Sequence, residues 1–217
     1  MRQPQPSELN LAHLVRPAGK AGGPGLLLLH GRGADEEDLM GLVGALDPRL
    51  VVVSARAPFR WGPGFAWYGT EGEEAETMQA SLEELRSFVD DLPAAYGIDP
   101  NRLYAMGFSQ GAVMGAALAL TVPEQVRGVV MHSGYVPTRS GLPLRPEMIR
   151  DKPFFLAHGK YDDLLPVELG QASRDYLATH GARLTYQEYP IGHTISEESL
   201  YDLSEWLTSA LDVTERG

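Results

Sequence analysis

The stretch from Tyr104 to Leu120, YAMGFSQGAVMGAALAL, decides the fold. Within it, Gly107-Phe108-Ser109-Gln110-Gly111 sets a serine between two glycines. An apolar run precedes the serine and a helical stretch rich in small residues follows it. A chain with 24 Gly carries Gly-x-Ser-x-Gly by chance at a frequency of about one in seven. The pattern alone therefore does not make Ser109 a nucleophile. Its setting does more, because a strand that turns into a helix at a serine is what a nucleophile elbow requires. Such a turn is sharp, so the positions two before and two after the serine must be small. Gly107 and Gly111 meet that need, and Ala112, Gly115, Ala116 and Ala117 let the helix pack closely on a sheet.

Outward from the elbow, short apolar runs alternate with helical patterns. GLLLLH (Gly25 to His30) reads as a buried strand, and DEEDLMGLVGAL (Asp35 to Leu46) as a helix with Asp35 as N-cap. LVVVSARAP reads as a strand ending near Ser54, followed by an aromatic, Gly/Pro-rich loop from Ala57 to Gly72. Met78, Leu82, Leu85, Val89, Leu92 and Tyr96 recur at helical spacing over Ala75 to Tyr96, with Pro93 expected to kink or end that helix. NRLYAMGF, RGVVMHS, PFFLAHG and RLTYQEY read as further strands. Helices are expected over Gln110 to Thr121, Glu168 to His180 with a Gly181 stop, and about Ser196 to Leu211, the last burying Leu200, Leu203, Trp206, Leu207 and Leu211. Gly134 to Pro153 reads as a long loop rather than a domain. This alternation predicts an α/β fold with a mostly parallel central sheet and helices on both faces, in one domain over 1–217.

Composition narrows the function classes. A net charge of −11 argues against nucleic acid or an anionic membrane surface as the main partner. With no cysteine, thiolate chemistry and Cys-ligated metals are excluded. Met1 to Leu14 has no apolar core of the signal-peptide kind, and the longest apolar run outside helical patterns, Leu26 to Leu29, is too short to span a bilayer. The expectation is a soluble, cytoplasmic protein without integral membrane association.

A serine hydroxyl is a weak nucleophile until a base takes its proton. On this kind of sheet the partners follow in the order Ser, Asp/Glu, His. HGKYDDLLP places Asp162 and Asp163 just after one strand, and YPIGHTIS places His193 after the next. Spacing does not separate Asp162 from Asp163. His30, His132 and His158 also end strands, but none follows the acid in the chain. An oxyanion needs donors, and these fall to the N–H of Gln110 and, from HGRGAD after an earlier strand, the N–H of Arg32.

LLLHGRGADEEDL, GFSQGAVMGAALAL, HSGYVP, HGKYDDLLP and YPIGHTIS together resemble the phospholipase/carboxylesterase family of α/β-hydrolases, over about Leu26 to Leu211. The resemblance implies an α/β-hydrolase fold without a separate cap domain and a cofactor-free, metal-independent serine hydrolase acting on a small-molecule ester or thioester. It assigns Ser109 as nucleophile, Asp162 as acid, His193 as base, and Arg32 and Gln110 as backbone oxyanion donors. The fifth position of HGKYD favours Asp162 over Asp163. The family often has Leu at the position of Arg32, so the acyl pocket is expected to be more polar here. A homodimer is compatible with the resemblance, as is a monomer. Dienelactone hydrolases are also similar, but many use a Cys nucleophile, which this chain lacks.

In FRWGPGFAWYG (Phe59 to Gly69), Trp67 is the best candidate for a substrate-pocket wall, against the alternative of an aromatic loop packed on its own scaffold. The acidic run Glu71 to Glu76 reads as a solvated helix start, and no His/Asp/Glu spacing suggests a metal site. Two other functions fit the same residues: acyl transfer through the same triad, and a non-catalytic ligand-binding protein, which would need no intact oxyanion loop.

Overall fold

The computed structural model describes residues 9–19, 22–69 and 72–215. Most of the N-terminal stretch read above as lacking a leader, and Glu71 of the acidic run, lie outside them. Strands are β1 (His13–Arg16), β2 (Gly23–Leu29), β3 (Val51–Ala55), β4 (Phe59–Trp61), β5 (Gly64–Ala66), β6 (Ile98–Phe108), β7 (Gly128–His132), β8 (Pro153–Gly159) and β9 (Arg183–Tyr189). Helices are α1 (Glu74–Tyr96), α2 (Gln110–Thr121), α3 (Val167–Thr179) and α4 (Glu197–Glu215).

Seven strands form one sheet in the order β1-β3-β2-β6-β7-β8-β9. β1 is antiparallel to β3, and every other pair in the sheet is parallel. β4 and β5 form a separate antiparallel hairpin. Strands β2, β3, β7 and β8 are buried on both faces while the edge strand β9 is partly exposed, and the alternation of side chains sorts the buried residues into two cores. Leu27, Leu29, Val53, Ala105 and Val129 pack with α1, α2 and α3. Leu26, Leu28, Val52, Met106 and Val130 pack on the other face with Leu203 and Leu207 of α4 and with Leu39 and Val43.

Leu39 and Val43 belong to the segment expected to be an α-helix from Asp35. Instead it is a 3-10 helix over Asp38–Ala45, with Glu37 rather than Asp35 at the N-cap position. Gly41 and Gly44 lie within it, and each disfavours α-helix by about 1 kcal/mol relative to Ala. The Asp35 carboxylate still organises the entry by accepting the Glu37 N–H at 3.0 Å. Pro93 does not end α1: it lies in the last turn, where Gly97, left-handed at φ 65°, terminates the helix and donates its N–H to the Pro93 carbonyl. Leu200 and Trp206 of α4 are only partly buried, whereas Leu203, Leu207 and Leu211 are fully so. Strand β1 and the β4–β5 hairpin were not anticipated.

Strand registers align the carboxyl ends: Leu29 lies beside Gly107, Phe108 beside His132, and His132 beside Ala157. Ser109, the Asp162 turn and the His193 loop all leave the sheet from this edge. No helix among the described residues is long and apolar enough to cross a membrane.

Candidate active site

Ser109 stands between β6 and α2 at φ 55°, ψ −120°. A positive φ on a residue with a Cβ costs about 1–3 kcal/mol and persists only where the surroundings enforce it. Here the enforcement is visible. A Cβ on Gly107 would lie 2.2 Å from the Gly111 backbone, and one on Gly111 would lie 1.9 Å from the Leu29 carbonyl oxygen. The Ser109 N–H continues the sheet by donating to the His132 carbonyl at 3.0 Å. Every residue of α2 from Gln110 to Thr121 is buried, which explains its small side chains.

Asp162 and His193 meet. The His193 Nδ1–H donates to Asp162 Oδ2 at 2.7 Å, which leaves Nε2 as the ring's other nitrogen. Asp163 is exposed, so the acid beside His193 is Asp162. Burial opposes the Asp162 charge, but the N–H of Leu165, the His193 ring and the N–H of Leu164 outweigh it and hold its carboxyl below the usual range. The His193 ring lies 4.9 Å from the Phe108 ring, next to the elbow serine.

The loop after β2 also adjoins the elbow: a Cβ on Gly31 would lie 3.5 Å from Ser109 Cβ. Among the described residues, the backbone N–H groups of Arg32 and Gln110 donate to no other group of the chain. Gln110 is the first residue of α2, where a helix leaves its N–H groups unsatisfied and its dipole positive.

Trp67 requires a correction. It is fully buried, so it does not present a pocket wall. Its indole N–H donates to the His30 carbonyl at 2.9 Å, and its backbone N–H donates to Gln110 Oε1 at 2.9 Å. The Gln110 Nε2 in turn donates to the Tyr68 carbonyl at 2.7 Å. Trp67 thus ties together the two segments that carry the unpaired N–H groups.

Three histidines that sequence order set aside support the site. Burial lowers the pKa of His30, whose neutral ring donates from Nδ1 to the Gly31 carbonyl and accepts the Ala57 N–H at Nε2. His158 Nε2 donates to the Leu165 carbonyl at 2.7 Å and bolts the Asp162 turn to the end of β8. His132, pushed down to about 3 chiefly by burial, pairs through Nε2 with Ser199 Oγ at 2.9 Å. Ser199 and Ser196 exchange hydrogen bonds at the start of α4, fixing the loop that holds His193. Each is a histidine at a strand end, which is visible in the sequence; the distant partners of two of them, Ala57 for His30 and Ser199 for His132, are not.

Beyond the elbow, a cavity of about 460 Å³ lies between α1, α3 and the loop after β7. Met78, Tyr135, Val136, Leu169 and Tyr176 line it. None of Ser109, Asp162 and His193 does; the cavity approaches the elbow through Tyr135, next to Gly134, where a Cβ would lie 3.1 Å from the Ser109 carbonyl oxygen. Among the described residues, no group of three or more His, Asp or Glu side chains is placed to hold a metal ion.

Comparison with known proteins shows the family and the fold. The profile of the phospholipase/carboxylesterase family matches residues 12–211. MhqD of Bacillus subtilis, provisionally named a hydrolase, is 30% identical over 189 residues, 86% of this chain and 93% of its own. Acyl-protein thioesterase 1 of Neurospora crassa is 33% identical over 119 residues, 53% of this chain and 49% of its own. The crystal structure of the Bacillus cereus carboxylesterase superposes with a TM-score of 0.84 at 27% identity, covering 94% of this chain and 96% of that one.

Proposed function

The chain belongs to the phospholipase/carboxylesterase family of α/β-hydrolases, and from that premise we propose that Ser109, Asp162 and His193 hydrolyse carboxylic esters or thioesters through an acyl-enzyme. Its relatives and neighbours make it a hydrolase of the carboxylesterase and thioesterase kind. The observation that carries the mechanism is the 2.7 Å bond from His193 to Asp162, at the sheet edge where Ser109 is held at a strained φ.

In this mechanism Ser109 Oγ attacks the substrate carbonyl as His193 Nε2 takes its proton. The tetrahedral oxyanion is stabilised by the N–H groups of Arg32 and Gln110; removing one such donor typically costs about 3–4 kcal/mol of transition-state stabilisation. His193 then passes the proton to the departing alcohol or thiol. In the second half, it activates water to cleave the acyl-enzyme and regenerate Ser109. Asp162 orients the ring and stabilises the imidazolium without itself taking the proton. The cavity beside Tyr135 is of small-molecule size, typically about 300–1,000 Å³, and is offered to the acyl chain.

The test is a set of initial rates on p-nitrophenyl esters from acetate to palmitate, for the wild type and Ser109→Ala. Wild-type turnover with a loss on the order of 10⁴–10⁶-fold in the variant is expected, as for other serine nucleophiles. Equal hydrolysis by both proteins would remove Ser109 from the mechanism.

A further inference from the structure

This acidic chain carries 29 Asp and Glu against 18 Lys and Arg, yet three arginines converge on the β4–β5 hairpin. Arg56 lies 4.7 Å and Arg60 4.6 Å from the centre of the Phe65 ring, and Arg32 lies 5.2 Å from the centre of the Trp61 ring. Arg56 is neutralised by the buried Glu36, which accepts its Nε–H at 2.6 Å. Arg32 and Arg60 are exposed, and among the described residues their guanidinium groups have neither a carboxylate partner nor a hydrogen-bond acceptor. A guanidinium stacked by its face keeps its in-plane N–H donors free, in the fork that matches a carboxylate or phosphate.

The hairpin is fastened to the oxyanion loop. Gly33 N–H donates to the Phe65 carbonyl at 2.7 Å, and Phe65 N–H donates to the Ala34 carbonyl at 2.9 Å. Gly64 packs so closely there that a Cβ would sit 2.1 Å from the Gly33 oxygen. Arg32 itself follows Gly31, whose neighbour across the elbow is Ser109. A cation that leaves the backbone at this point, held on an aromatic ring, lies within about a side chain's reach of the reacting carbonyl.

We propose that Arg32 and Arg60 form an anion-reading rim, and that the enzyme takes esters or thioesters bearing an anionic group a few bonds from the scissile carbonyl. The inference rests on the hydrolase mechanism proposed above and adds the substrate's charge. A small positive site on a molecule of net charge −11 admits anions only where the local field has been reversed, so its effect is short-ranged and weakened by salt.

The experiment compares three substrates: phenyl butyrate, which is neutral; 4-carboxyphenyl butyrate, with the anion on the leaving group; and the phenyl monoester of adipic acid, with the anion on the acyl side. For each, kcat/KM is measured in the wild type and in the double variant Arg32→Gln/Arg60→Gln, with circular dichroism to confirm folding. The readout is the ratio of anionic to neutral kcat/KM, which cancels any common loss. This ratio is expected to fall by about three- to tenfold in the double variant for one anionic substrate, and that substrate identifies the side that the rim reads. Added NaCl should lower the wild-type ratio but not the variant's, where screening acts only on the repulsion from the molecule's net negative charge. Ratios equal in both proteins for both anions would overturn the rim while leaving the esterase mechanism standing. A folded wild type that hydrolyses none of the three would overturn both.

Discussion

At the residue scale, Asp162 and Asp163 offer the sharpest contrast, because adjacent carboxylates have opposite surroundings. Asp162 is buried, accepts the Leu164 and Leu165 N–H groups and faces His193, whereas Asp163 is exposed. Asp162→Asn should lower kcat by about 10⁴, because the amide no longer holds the imidazole in the tautomer that leaves Nε2 basic. Asp163→Asn should stay within about twofold, since an exposed charge away from the ring is screened. Steady-state kinetics on one p-nitrophenyl ester separates the two, and comparable losses would reassign the acid. The Asp162 carboxyl is held below its ordinary range and remains ionised through mildly acid pH, so a fall in kcat/KM there does not come from protonation of Asp162.

At the element scale, the elbow is a joint between β6 and α2 whose tolerance is set by backbone contacts. Gly111→Ala would drive a Cβ to within 1.9 Å of the Leu29 oxygen, where only backbone can yield. The expected result is a melting temperature lowered by several degrees together with a loss of activity of at least tenfold, because separating α2 from β2 also displaces Gln110 and Ser109. Calorimetry and ester hydrolysis on the same preparation test it, and a variant unchanged in both would show that the joint is looser than its contacts imply. This joint was legible in the sequence because Gly-x-Ser-x-Gly, an apolar run and a small-residue helix all require the same geometry. The strands β8 and β9 were legible for a similar reason, being short, β-rich and bounded by turns. The helix expected from Asp35 was misread because its apolar spacing fits a helix while Gly41 and Gly44 weaken the α form in favour of 3-10. Strands β1 and β4 are short and half exposed, and β5 is only three residues long, so their patterns do not rise above loop composition. Trp67 was misplaced for a different reason: an aromatic loop looks alike whether it faces a pocket or the core, and only the bonds to His30 and Gln110 decide.

At the scale of the whole molecule, the buried histidines couple the site to stability. His132 ends β7 at the centre of the sheet edge, wholly buried and held at about 3. The loss of hydration is the main cause; His158 on β8 and His193 before α4 push the same way, and Asp162 opposes them. Its ring bonds to Ser133 and Ser199, both neutral. In the unfolded chain a histidine titrates near 6.5. The folded state therefore refuses a proton that the unfolded state accepts. The stability this contributes is complete above about pH 6.5, declines as the pH falls, and is exhausted near pH 3. While it declines, the slope is at most about 1.4 kcal/mol per pH unit for one proton. Depressed carboxylates such as Asp162 act in the same direction but only at lower pH, below their unfolded value near 3.9. Unfolding by urea at pH 8, 6 and 5 should thus show the wild type losing stability well before the carboxylates titrate. His132→Gln keeps a donor for Ser199 but has nothing to titrate, so its curve should be flatter over this range by up to that slope, whatever its stability at pH 8. Parallel curves for the two proteins would mean that His132 is protonated inside the fold, and that the hydrogen bond from β7 to the start of α4 survives with a charged ring.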